Sequence, residues 1–259
     1  MKYGYLPYNG NIYLSQLEVG TNIVRCFIRG KWLSRTPEEI IRQSILAFLK
    51  AEYLHERSHL IDIYVERSSI DIAIYPKPQH QEFRPSLGPI LLIETKREEI
   101  QPLDNESHEH QIQGYMQRTH CAAGILTNSR ELWYYKQKDG FFSKHPMTDL
   151  AELIIVCDLQ QQRVAARLDE HQILFTKAQT GNYDCFRTLV ELYGRGTDIV
   201  VAFSFERNRR LIQSFGFMFK NVGDSLQFTA LHTETSKRQM VTREEFCHLS
   251  SITARNLLN

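Results

Sequence analysis

The chain has 259 residues and a mass of 30.4 kDa, which at roughly 150 residues per domain makes one large domain or two small ones. Hydrophobic residues at 42%, charged residues at 24%, 13 Gly and 8 Pro are ordinary globular usage and exclude a disordered, collagen-like or disulfide-scaffold chain. Lys and Arg number 31 against 30 Asp and Glu, a net charge of +1, so no long-range positive field gathers a nucleic acid. Such a partner needs a local patch or a metal to hold its phosphates.

Two β-type patches, Gly10 to Gln16 and Asn22 to Leu33, are broken by Gly20 and Gly30 and predict a small β-ribbon over residues 1–35. Thr36-Pro37-Glu38-Glu39 is a helix start, with Thr36 as N-cap, Pro37 at the first helical position and acids in the first turn. Ile41, Ile45, Phe48 and Leu49 then fall on one stripe, which predicts a helix from Pro37 to His55. Glu38 precedes Ile41 and Ile45 by three and seven residues and shares their stripe, so its carboxylate is expected to face the sheet. Glu39 lies about 100° round the helix and is expected to face solvent.

Strands follow over Leu60 to Val65, Ser69 to Tyr75 and Ile90 to Lys96, in an order that predicts an antiparallel meander. The four prolines between Pro76 and Pro89 require a loop. A second helix is expected over His108 to His120, then strands over Ala122 to Thr127 and Leu132 to Lys136 around a turn at Asn128-Ser129. The fold class is α/β (α+β), a mixed central sheet flanked by helices, with its core at residues 36–147. Residues 148–259 read as an accessory α+β region, with helices at Leu150 to Leu168 and Asp184 to Tyr193. Its strands are expected at Ile199 to Phe205, Phe215 to Asn221 and Leu226 to His232.

Five cysteines, widely spread and with no C-x-x-C pair, argue against a zinc cluster or a disulfide framework. The first residues lack the apolar stretch of a signal peptide, and no run approaches the roughly 18 apolar residues of a membrane span. The expected location is cytoplasmic.

Charges interrupt strands that are otherwise apolar. In Ile90-Leu91-Leu92-Ile93-Glu94-Thr95-Lys96 both faces are apolar, so the strand is internal, yet Glu94 and Lys96 share one of its faces. Asp71 likewise interrupts Ser69 to Tyr75, on the face of Ala73 and Tyr75. An unpaired buried carboxylate costs several kcal/mol, so such groups are normally paired or bound to a metal. Hard oxygen ligands in a cleft suit Mg²⁺ or Mn²⁺. Lys96 is two residues from Glu94, where its ammonium can reach an attacking water or the charge developing on phosphorus oxygens. Two carboxylates and a lysine so placed make a phosphodiester hydrolysis site.

An ordered set of residues carries a resemblance. It comprises Arg25-Cys26-Phe27-Ile28-Arg29-Gly30-Lys31, Thr36-Pro37-Glu38-Glu39 with Arg42-Gln43, Asp71, and Leu92-Ile93-Glu94-Thr95-Lys96, followed by Gln111 with Tyr115 and Leu126-Thr127-Asn128. Over roughly residues 22 to 140 this resembles the N-terminal nuclease domain of type I restriction enzyme R subunits, in the PD-(D/E)xK superfamily. The resemblance implies Mg²⁺-dependent cleavage of DNA, with Mn²⁺ as a substitute. Asp71 and Glu94 would be metal ligands, Glu38 would complete the shell through water, and Lys96 would position the attacking water. Gln111 and Tyr115 resemble the family's Q-x-x-x-Y motif, which implies DNA contact and placement of the lysine. Thr95 stands in the middle of E-x-K, with its side chain expected to point away. A full R subunit carries a helicase motor, but this chain has no G-x-x-x-x-G-K-[ST] motif. The reading is a solitary nuclease module, or one that works with a second copy of itself or a separate motor or specificity subunit. The alternative keeps the fold as a non-catalytic nucleic-acid-binding or assembly module.

Other motifs compete less well. His55-Glu56-Arg57-Ser58-His59 satisfies H-E-x-x-H, but it runs straight into a strand, no H-x-x-G-x-x-H continuation follows, and the nearest suitable acid, Glu82, lies in the proline-rich loop. His108-Glu109-His110, the clusters Arg207, Arg209, Arg210 and Lys237, Arg238, and Gly194-Arg195-Gly196 match no defined phosphate site.

Overall fold

The computed structural model describes residues 16–67, 69–77, 79, 87–100, 103, 105–128, 130–179, 182–193, 199–200, 217–223, 225–230 and 238–241. Several sequence features lie outside them: residues 10–15, most of the proline-rich segment, Gly194 to Gly196, residues 201–205, the arginines at 207–210, and Lys237. The chain forms two units. The first comprises Met1–Lys77 and Gly88–Val164, the second Pro78–Leu87 and Ala165–Asn259.

In the first unit, β1 (Ile23–Arg25) and β2 (Trp32–Ser34) pair antiparallel through a turn that places Gly30 at φ +65°. Helix α1 (Pro37–Phe48) follows, and the Thr36 hydroxyl oxygen accepts from the Glu39 amide at 3.1 Å, as an N-cap should. The helical path continues through a π-helical stretch, Leu49–Leu54, to a last turn at His55–Arg57. Residues 39–49 are all buried, so α1 is enclosed on every side rather than along one stripe.

The six-stranded sheet has the order β3-β4-β5-β6-β7-β8, from β3 (Ile61–Arg67), β4 (Ile70–Pro76), β5 (Leu91–Thr95), β6 (Ala123–Thr127), β7 (Leu132–Lys138) and β8 (Phe141–Pro146). All neighbours pair antiparallel except β5 and β6, which are parallel and joined through α2 (Glu106–Thr119). The sheet is therefore mixed, and β3 to β5 form the expected meander. β8 had not been expected. It is an exposed edge strand reached through Asp139-Gly140, both at positive φ, the backbone of a tight hairpin turn.

One face of the sheet packs Ile72, Ile74, Leu91, Ile93 and Ile125 with α1 and with Leu153 and Cys157 of α3 (Ala151–Gln179). The other packs Ala73, Leu92 and Leu126 with Ile112, Tyr115 and Met116 of α2. Gly124 lies under that helix, because a Cβ there would meet Met116 Sδ at 2.6 Å and Ile112 Cγ1 at 3.0 Å. Each fully buried Ile or Leu contributes about 1.5–3 kcal/mol, so these two layers fix how the helices sit on the sheet.

The second unit contains the rest of α3, α4 (Tyr183–Tyr193), and a four-stranded antiparallel sheet. That sheet has the order β12-β11-β10-β9, from β9 (Ile199–Val200), β10 (Phe217–Val222), β11 (Ser225–Ala230) and β12 (Arg238–Val241). Among the described residues, Cys26, Cys121, Cys157 and Cys185 are free, and no helix is long and apolar enough to cross a membrane.

Candidate active site

Asp71 and Glu94 meet at one end of the sheet. Ile72 pairs with Ile93, and one step further along the antiparallel register sets Asp71 opposite Glu94. The central position of β4 and β5 buries both: Asp71 is 8% exposed and Glu94 3%. The two carboxylates nevertheless find different partners.

Asp71 is fully occupied. Its Oδ1 pairs with Arg42 Nη2 at 3.0 Å, while Oδ2 accepts from the Thr95 amide at 2.7 Å and the Thr95 hydroxyl at 2.6 Å. Glu94 is half satisfied. Its Oε1 accepts from Lys96 Nζ at 2.6 Å and from Gln111 Nε2 at 2.7 Å, whereas Oε2 is buried with no hydrogen-bond partner among the described residues. Burial first, and then the charge of Asp71, push the Glu94 carboxyl up to about 7, against the pull of Lys96. Glu38, half-buried at the start of α1, is raised by burial and by Asp71 and lowered by Lys96. Its field therefore reaches the same end of the sheet.

The remaining residues of the expected set are close by. The Lys96 amide donates to the Thr127 carbonyl at 2.8 Å, extending the β5–β6 pairing past the strand end. Gln111 Nε2 donates both to Glu94 Oε1 and to the Tyr115 hydroxyl at 2.9 Å, so α2 is coupled to the carboxylate. Buried Asn128 ends β6: its Oδ1 accepts from the amides of Arg130 and Glu131, and its Nδ2 donates to the Ile100 carbonyl.

Two expectations are corrected. Thr95 does not point away from the site, because Asp71 turns toward it and takes its hydroxyl. Glu39 does not face solvent. It is buried, accepts from Gln43 Nε2 at 2.7 Å and pairs with Arg42 at 3.1 Å. The cause is the enclosure of α1, which from Glu39 onward leaves a charged residue no route to water.

Arg42 stands in the resembling set, but the sequence assigns it no role. It is buried and bridges three acids: Asp71, Glu39, and Glu66, whose Oε1 it meets at 2.7 Å. Arg29 takes the other Glu66 oxygen at 2.6 Å. Glu66 sits at φ +53°, a strained setting for a side-chain-bearing residue, and these two arginines hold it. The usable signal was Arg42-Gln43-Ser44 inside an apolar helical run, where polar groups must find one another.

Among the described residues no group of three or more His, Cys, Asp or Glu side chains is set to hold a metal ion. Glu38, Asp71 and Glu94 are thus not a ready-made three-ligand shell, since Arg42, Thr95 and Lys96 draw the carboxylates to different partners. What fits a divalent cation is narrower: an orphaned, buried Oε2 of Glu94 beside the charge of Asp71. The H-E-x-x-H residues fit none, as His55 and His59 are exposed and Arg57 is engaged with Asp158.

No curated protein and no solved structure matches the chain. Residues 37–153 match the family described as type I restriction enzyme R protein N terminus (HSDR_N). That segment runs from the first residue of α1 through the whole six-stranded sheet, with its restriction-endonuclease-like α+β architecture, into α3.

Proposed function

We propose that the chain is a Mg²⁺-dependent nuclease that hydrolyses phosphodiester bonds in DNA, with residues 36–147 as the catalytic core and 148–259 as an accessory region. The observation that carries this reading is Glu94 Oε2, buried and without a partner, next to Asp71 and with Lys96 on the other oxygen of the same carboxylate. A divalent cation held by Asp71 and Glu94, and by Glu38 through water, would supply polarisation of the phosphodiester. Lys96, tethered through its own amide to Thr127, positions the attacking water and faces the charge developing on the phosphorus oxygens. Gln111 fixes the orientation of Glu94, and Tyr115 fixes Gln111. The reading extends to a cytoplasmic restriction or defence role, with DNA as partner and a second copy or a separate motor or specificity subunit as protein partner.

The complete occupancy of Asp71 by Arg42 and Thr95 favours a second reading, in which the same fold binds nucleic acid without cleaving it. Purified protein incubated with plasmid and short DNA substrates, with Mg²⁺ or Mn²⁺ or with chelator, separates the two. The nuclease reading expects metal-dependent products that Asp71→Ala and Lys96→Ala each reduce at least a hundredfold. Cleavage that persists in both variants refutes it, and binding without cleavage supports the second reading.

A further inference from the structure

We infer that Tyr64, Arg67 and Tyr75 form a strand-holding platform that grips the nucleic acid beside the carboxylates; this rests on the nuclease reading above. The guanidinium of Arg67 lies 4.6 Å from the ring centre of Tyr64 and 4.9 Å from that of Tyr75. The two rings meet edge to face with centres 5.2 Å apart. The cluster is open to solvent, with Tyr64 40% exposed and Arg67 exposed. Among the described residues Arg67 has no carboxylate partner, whereas neighbouring Glu66 holds two arginines. A guanidinium held between two aromatic rings and free of a counter-charge is complementary to a phosphate, with an exposed ring beside it to stack on.

The register places this platform with the site. Tyr64 pairs with Ala73, and Ala73 with Leu92, so Tyr64 stands on the sheet face of Leu92, which is also the face of Glu94. Tyr64 lies two strands across from Glu94 and two residues back along them. That is about 12 Å at ~4.8 Å per strand and ~3.3 Å per residue, or three to four nucleotide steps at ~3.4 Å of rise. Arg67 is at the end of β3 that meets the Asp71 end of β4, since Arg67 pairs with Ile70. A strand with a phosphate near Glu94 and Lys96 reaches Arg67 along this end of the sheet, without crossing Ala73 and Leu92, which lie buried beneath α2.

The test is equilibrium binding of fluorescent single-stranded and duplex DNA to the full chain in chelator, over a range of salt concentrations, with cleavage measured separately in Mg²⁺. Arg67→Ala is expected to weaken binding about tenfold and to lower the slope of log affinity against log salt by about one. Tyr64→Ala is expected to weaken single-strand binding several-fold with the slope unchanged. Lys138→Ala, which removes the same charge at the far end of β7, is the control and is expected to bind like the unsubstituted chain. Unaltered affinity and slope in Arg67→Ala, or an equal loss in Lys138→Ala, overturns the platform. If the unsubstituted chain binds DNA with this pattern but does not cleave it, the platform stands and the nuclease reading fails. If it binds no DNA at all, both fail.

Discussion

The guanidinium of Arg42 meets Oδ1 of Asp71 at 3.0 Å, across the interface between α1 and β4, with both side chains almost wholly out of water. The acid expected to bind a cation thus already has one from its own chain. Arg42 also answers Glu39 and Glu66, so it is the common counter-charge of three carboxylates.

Removal of one partner from a buried ion network leaves charges that nothing compensates, at a cost of about 3–5 kcal/mol. Arg42→Met is expected to lower the unfolding free energy in urea by an amount of that order, and Arg42→Lys by less. A loss below about 1 kcal/mol in Arg42→Met would mean that the network behaves as a solvated surface cluster.

Thr95→Val retains shape and the backbone donor to Asp71 but deletes the hydroxyl that Oδ2 accepts at 2.6 Å. A hydrogen bond to a charged group contributes about 1.5–3 kcal/mol, and the urea midpoint should fall accordingly. Thr95→Ser, which keeps the donor, should recover most of the loss. Equal midpoints for the valine and serine variants would show that the hydroxyl is dispensable.

The Glu94 carboxyl, raised from 4.5 to about 7, makes stability depend on pH in chelator. Between those values the folded chain binds more protons than the unfolded chain. The stability due to neutral Glu94 is therefore complete below about 4.5, declines as pH rises, and is gone above about 7. The ceiling is about 3 kcal/mol. Melting temperatures at pH 5 and pH 8 should differ more for the unsubstituted chain than for Glu94→Gln. Parallel profiles would remove Glu94 as the titrating group.

Gly124→Ala is expected to destabilise by about 1–3 kcal/mol through overpacking, because the new methyl would press on Met116 and Ile112 of α2. The same helix carries Gln111 to Glu94, so the DNA hydrolysis proposed above should fall too, to a greater degree than from an exposed α2 change such as Gln117→Ala. Unchanged melting and activity would show that α2 can shift without cost.

Much of the site was legible because it rests on alternation. Glu94 and Lys96 on an internal strand, and Asp71 on its neighbour, are positions where a period of two leaves an acid no exit. Glu39 was harder, since the helical stripe assumed one wet side and α1 has none along residues 39–49. The pairing of Arg42 and Thr95 with Asp71 was not foreseen for a related reason: contacts between residues 24 or more positions apart depend on packing, which no local period encodes. β8 was missed because Phe141 to Pro146 lies mostly in solvent on the sheet edge and shows no apolar alternation, although Asp139-Gly140 was a readable hairpin signal.

The lone parallel pairing, β5 beside β6, has a consequence for how the protein can be divided. Its crossover passes through α2, so the segment that returns the chain to the same edge of the sheet also delivers Gln111 to Glu94. A polypeptide cleaved between Lys96 and Gln111 would yield two pieces that each hold part of the constellation. A break at Asp139-Gly140 would leave Glu38, Asp71, Glu94, Lys96, Gln111 and Tyr115 on a single fragment, and complementation between halves should follow that asymmetry.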